Sequence, residues 1–170
     1  MARYPWFHVR ARDELIALPG CTIAINHREE YERILDTFIK ALFRHIDEGT
    51  TDRVIHEIDL PDIPLWAIWA IQQFRKVYGT TECRKIYGQT VKNLAESIRY
   101  GKIPNLRLED NGLLSTDGQE KPMTWLSASV GGRPLIPRTG FIVEFNALWY
   151  NALIFLISLL ETEDSERDYC

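Results

Sequence analysis

The chain has 170 residues, 45 % of them apolar and 26 % charged, with 20 Lys plus Arg set against 24 Asp plus Glu. These are the proportions of an ordinary folded domain, and they exclude a disordered tail or a fibrous repeat. A net charge of −4 without any long run of like charges also excludes the basic footprint of a nucleic-acid binder.

The three cysteines, Cys21, Cys83 and Cys170, are scattered and form no CxxC pair, so they describe neither a disulfide framework nor a zinc site. Cys21 and Cys83 fall on apolar faces, where a buried structural thiol is the default. The histidines (His8, His27, His45, His56) lack the i,i+4 spacing of a metal-binding helix, and no Gly-rich phosphate cradle or GxSxG elbow is present. The N-terminal residues Met1 to Trp6 contain no apolar h-region. The longest apolar run, Ala147 to Leu160, is broken by Asn151 and falls short of the roughly 20 residues that span a bilayer. It reads as a buried helix of a soluble, cytoplasmic protein with no membrane partner.

In chain order, a first helix is expected near Arg12 to Ile25, interrupted at Pro19-Gly20. From Glu29 to Glu48, Leu35, Phe38, Ile39, Leu42 and Ile46 make one apolar stripe. The next helix, Ile63 to Tyr78, is apolar nearly all round at its start, which predicts burial on several sides. Thr81 to Tyr100 places Tyr87, Val91, Leu94 and Ile98 on one face, and Gly101 supplies a stop. Residues 101–140 are punctuated by Pro and Gly and read as one long loop, ordered by Leu113, Leu114, Met123, Trp125 and Leu126. A last helix runs from about Glu144 to Glu161, and the polar end from Glu161 to Asp168 is expected to fray. The whole chain, 1–170, reads as a single all-α domain, a toroid or a solenoid. The absence of an internal repeat disfavours a regular solenoid.

The chemically suggestive residues are carboxylates set among aromatics: Asp13 beside Arg12, Asp59 and Asp62 before Trp66 and Trp69, and Glu144 before Trp149 and Tyr150. Aromatic faces stack on pyranose rings while carboxylates accept from hydroxyls, so the mixture suits a sugar site. Each position also has a plain structural use. Asp62 can cap a helix, Glu144 can complement a helix dipole, Asp13 can pair with Arg10 or Arg12, and the tryptophans can be core.

Three blocks carry a family resemblance. Tyr4-Pro5-Trp6-Phe7 followed by Arg12-Asp13-Glu14-Leu15-Ile16-Ala17-Leu18-Pro19-Gly20 resembles the "YPWF…GRDTFIALPG" start of glycogen debranching enzymes. Asp62-Ile63-Pro64-Leu65-Trp66 resembles their "DAPLWF" helix start. Arg138-Thr139-Gly140 with the run from Val143 to Leu153 is similar to "RxGxxVEINALWYNAL" almost letter for letter. Asn111-Gly112-Leu113-Leu114 and Thr124-Trp125-Leu126 fall between them in the right order.

The resemblance implies an (α/α)6 toroid, an amylo-α-1,6-glucosidase that hydrolyses the α-1,6 branch points of glycogen or related α-glucan. Such relatives invert: one carboxylic acid protonates the glycosidic oxygen and a second carboxylate, roughly 6.5–9.5 Å away, activates a water on the opposite face. No metal and no organic cofactor is implied. By position, Arg12 and Asp13 would hold the terminal glucose hydroxyls, with Trp6, Asp62 and Trp66 beside them. Trp125, Glu144, Asn146 and Trp149 would line the same pocket.

Two departures stand out. Where the family reads "TWMDA", with the Asp as general acid, this chain reads Thr124-Trp125-Leu126-Ser127-Ala128, and a serine hydroxyl is no matched proton donor at neutral pH. Where it reads "WGRD", this chain has Arg10-Ala11-Arg12-Asp13. Length is the further difference. Twelve helices need roughly 200 residues before any insertion, so this chain corresponds to about half a toroid, and the general base of the later helices is expected to be missing. The chain alone is therefore expected to be inactive. A non-catalytic α-glucan-binding remnant and a helical interaction module are the alternatives. Half a toroid leaves apolar helix faces open, Ile63 to Ile71 in particular, so a homo-oligomer or association with a C-terminal half is expected.

Overall fold

A computed structural model describes residues 9–167 of the chain, and their side chains as far as Leu160. Trp6 and Cys170 lie outside the described residues. Five helices form the body: α1 (Ala11–Cys21), α2 (Arg28–Glu48), α3 (Ile63–Tyr78), α4 (Thr80–Arg99) and α5 (Val143–Arg167). α2, α3 and α4 agree closely with the periodicity; α5 begins where expected but continues as helix to Arg167, which corrects the end near Glu161 and the expected fraying beyond it. The predicted first helix divides into α1 and a 3₁₀ turn, Ile23–Ile25. Pro19 lies inside α1, where it lacks the N–H that would bond to Leu15, and the helix ends two residues later.

The core is built around α3. Ile63, Leu65, Ile68, Ile71 and Phe74 are wholly buried, against Leu15 of α1, Tyr31 and Leu35 of α2, Cys83, Tyr87 and Leu94 of α4, and Phe145 and Phe155 of α5. The all-round apolar start of α3 is thus satisfied within the chain, and the expectation that Ile63 to Ile71 stand uncovered is corrected. The open helix is α5. Only 28 % of its stretch from Val143 to Leu160 is buried, and this stretch is long and apolar enough to cross a membrane by length and composition alone. The expected burial of the Ala147 to Leu160 run is corrected accordingly. Cys21 is exposed rather than buried, whereas Cys83 lies in the core with its Sγ 3.8 Å from the carbonyl of Ile71, and burial pushes that thiol up to about 11.

Helix directions follow from particular contacts. Gln72 and Asn151 exchange two side-chain hydrogen bonds of 3.0 Å, and further along both helices Arg75 meets Ser158 and the ring of Phe155, so α3 and α5 run parallel. Arg12 and Asp62 join the starts of α1 and α3, and the two-residue strands that lead into them, β1 (Val9–Arg10) and β2 (Ile55–His56), pair in parallel. Arg28, at the start of α2, places its guanidinium over Phe74 and Tyr78 at the end of α3 and bonds Glu82 at the start of α4. Hence α2 and α4 run opposite to α1, α3 and α5. The three parallel helices all begin at one end of the body.

The long segment after α4 is ordered at that same end. It contains a hairpin, β3 (Arg107–Leu108) with β4 (Leu114–Ser115), and a second, β5 (Ser129–Val130) with β6 (Arg133–Pro134). Between β5 and β6 stand only Gly131 and Gly132, both at positive φ, the backbone of a type I′ turn. Thr116 and Gly140 pair antiparallel, closing the base of the segment between them.

Candidate functional site

The site is assembled from the beginnings of α1, α3 and α5. Arg12 is 5 % exposed, and it grips Asp62, 3 % exposed, through Nε to Oδ2 at 2.6 Å and Nη2 to Oδ1 at 2.8 Å. One turn into α3 the indole of Trp66 donates to the same Oδ2 at 3.1 Å. Asp62 occupies the N-cap position of α3, but its side chain does not cap the helix. Both of its oxygens are turned to the cation instead. Burial works against the charge on Arg12, and the hydrogen bonds and charge of Asp62 outweigh it, holding the guanidinium pKa above its ordinary value. Asp13 is half-buried on the next residue of α1, and Arg10 reaches Glu57 at 3.2 Å.

The second cluster forms where α5 begins. Glu144 takes a two-pronged ion pair from Arg138, with Nη2 to Oε2 at 2.8 Å and Nη1 closing on Oε1, and accepts from the indole of Trp125 at 3.2 Å. Chiefly through the Arg138 hydrogen bonds, the carboxyl is drawn down to about 2. Counting back from the Gln72–Asn151 rung, Asp62 and Glu144 lie about 15 and about 10 Å along parallel helices, at the same end of the body.

The long segment is tied across this end. Lys121 forms an ion pair with Asp59, three residues before Asp62. Asn146 donates both its N–H groups to the carbonyls of Leu114 and Ile142, at 3.0 Å each, and accepts from the Leu114 amide at 2.8 Å. At Gly118 a Cβ would sit 2.1 Å from the carbonyl oxygen of Arg138, so only glycine allows the two passes of the segment to touch. Ser127 lies between these ties, exposed, with its amide donating to the Trp125 carbonyl at 2.9 Å.

Arg12, Asp13, Asp62 and Trp66 therefore come together, and Trp125 and Glu144 come together at the same end. Asn146, at the same end, and Trp149 do not join them. The carboxamide of Asn146 is committed to backbone, and Trp149 is buried on another face of α5. There it floors a groove of about 480 Å³ with Leu153, Leu156 and Leu160, opposite Lys92 and Glu96 of α4. Arg138, Lys121 and Gly118 carry no role in the sequence reading. Arg138 has a signal there, a cation six residues before an acid at a helix start. The partner of Lys121 is 62 residues away, and nothing local announces it.

Chemically, the arrangement binds better than it transfers protons. Asp62 is clamped on both oxygens. Glu144 stays ionised at neutral pH, which removes it as an acid and makes it a weak base. The exposed indole of Trp125 and the partly exposed Trp66 and Glu144 remain suited to a polyhydroxylated ligand.

No curated protein and no solved structure gives a significant match to the chain. A family model described as amylo-alpha-1,6-glucosidase matches residues 1–169, nearly the full length, with the three sequence blocks falling on the starts of α1, α3 and α5. The chain thus belongs to the amylo-alpha-1,6-glucosidase family.

Proposed function

We propose that the chain is a debranching-type α-glucan domain, five helices of an (α/α)6 toroid, which holds a terminal glucose or branch point of glycogen in the cytoplasm and by itself turns over little or none. The observation that supports this reading is the shared end of α1, α3 and α5. Arg12, Asp13, Asp62, Trp66, Trp125 and Glu144 gather there beneath the segment that bears Ser127.

In the complete inverting reaction an acid protonates the glycosidic oxygen while a base activates water on the other face of the sugar. With Ser127 at the acid's position, the step that typically contributes 10²–10⁴-fold is missing. The clamped Asp62 and the low-pKa Glu144 do not replace it. Binding is what remains: Asp13 and Glu144 accept from sugar hydroxyls, and Trp66 and Trp125 offer ring faces. Trp6 would join the same wall. Asn146 and Trp149 serve the frame, the first by fastening β4 to α5 and the second by packing α5 on α4.

Calorimetric titration with a branched maltooligosaccharide tests the reading, with the double variant Asp13→Ala, Glu144→Ala as control. Heat of binding that disappears in the folded variant supports it. Absence of binding by the folded parent chain would overturn it and favour the second reading, a helical interaction module, for which the open apolar face of α5 speaks. Either reading includes association of the chain, with a second copy or with another half of such a domain.

A further inference from the structure

We propose that two copies of this chain pair through α5, antiparallel and related by a two-fold axis. The inference stands apart from glucan binding. On α5 the exposed apolar positions are Val143, Ala147, Tyr150, Ile154 and Ile157, alternating by four and three residues. That is the a/d seam of a coiled coil, lying opposite the face that carries Phe145, Ala152 and Phe155 into the core. Leu153 and Leu160 widen the seam towards α4.

Three features select a second copy as the occupant. The first is area. Tyr150 is 68 % exposed and Ile154 50 %. With their neighbours they offer on the order of 600 Å² of apolar surface per copy, the lower edge of what each partner of a stable pair buries. A patch this large exceeds what single scattered surface residues leave. The second is charge. From Phe145 to Leu160 there is no Asp, Glu, Lys or Arg, and Glu144, beside Val143 at the seam's start, is paired with Arg138, so a helix presenting the same face to itself meets no unpaired like charge. A partner recognised by ion pairs would find none to make there.

The third feature sets direction. Directly after the seam the sequence carries Glu161, Glu163, Asp164, Glu166 and Asp168 against Arg167 alone. Parallel pairing would bring two acidic stretches together. Antiparallel pairing sends each towards the opposite copy's helix start, the positive end of its dipole. A self-complementary face closes on itself as a dimer and leaves no open end for further growth.

Sedimentation of the full 170-residue chain over a concentration series tests this, alongside the variant Ile154→Glu, Ile157→Glu. Both positions are half-exposed, so the variant's fold is checked by circular dichroism. A dimer that weakens about 30-fold or more in the folded variant is the expected result. Direction is read in a Cys21→Ser, Cys170→Ser background. A short bis-maleimide should join Val143→Cys of one copy to Ile157→Cys of the other far better than either variant to itself. Like-to-like joining would overturn the antiparallel arrangement. A monomer at every concentration overturns the pairing, as does a dimer indifferent to the glutamates or an open-ended aggregate. A monomer that co-floats with phosphatidylcholine–phosphatidylserine vesicles would do the same, assigning the face to lipid.

Discussion

Arg12 and Asp62 are 50 residues apart in sequence and share two hydrogen bonds of 2.6 and 2.8 Å in a buried setting, with Trp66 closing on the same carboxylate at 3.1 Å. The pair fixes the start of α1 against the start of α3, next to Asp13 and Trp66. A buried pair of this kind contributes little net energy compared with apolar residues of similar shape, yet each member depends strongly on the other.

The first prediction concerns that dependence. Asp62→Ala leaves a buried guanidinium without its counter-charge and should cost about 3–5 kcal/mol of stability, read by urea unfolding. The double variant Arg12→Met, Asp62→Leu should recover most of the loss. A double variant as unstable as the single one would show that shape, not charge, fixes the site.

Acid titration should open the Glu144 clasp. The folded carboxyl is held low, at about 2, so the clasp contributes its full stabilisation above the unfolded carboxyl's value of about 4.3 and loses it as pH falls towards 2. Because Glu144 and Arg138 are partly exposed, salt should weaken the effect. The difference in emission between the parent chain and Trp125→Phe should change across that window. In Glu144→Gln it should stay flat.

Asn146→Ala removes three hydrogen bonds to the backbone of Leu114 and Ile142. A loss of about 1–3 kcal/mol is expected, with faster hydrogen exchange at the Leu114 amide in particular. Unchanged exchange there would mean that β4 is held by its pairing with β3 and not from α5.

Gly118→Ala should dislodge the Arg138 backbone, since the added methyl falls 2.1 Å from its carbonyl oxygen. The expected outcome is a cut by trypsin at Arg138 that the parent chain resists, with helix content unchanged.

Ser127→Asp by itself is expected to restore no glucose release from a branched maltooligosaccharide, because the inverting reaction also needs a second carboxylate as base. Measurable release would identify an overlooked carboxylate, with Asp117 and Glu144 the first to substitute.

α2 and α4 were legible because each carries its own period, and α3 and α5 because their apolar runs are too long for strands. The stripe of α2 and the all-round apolar start of α3 can satisfy their burial only as helices, and the family blocks fall where three of the helices begin. The Gly131-Gly132 pair signals a turn, but strands of two residues leave no alternation from which to read a hairpin. Which helix stays open was not legible. The start of α3 and the length of α5 are both apolar, and hydropathy cannot count neighbours. Packing decided it: α3 has helices on every side, whereas among the described helices α5 packs chiefly on α3 and α4.

By itself, then, the sequence determined the helical class, the family and the residue types at each helix start. It also places Ser127 where the family resemblance expects an acid. Tertiary structure decided the partners. It spent Asp62 on Arg12 and not on a cap, Asn146 on the backbone of Leu114, and Glu144 on Arg138 and Trp125. A side chain's donors and acceptors declare what it can bind, and only the chain's path through space decides which group arrives first.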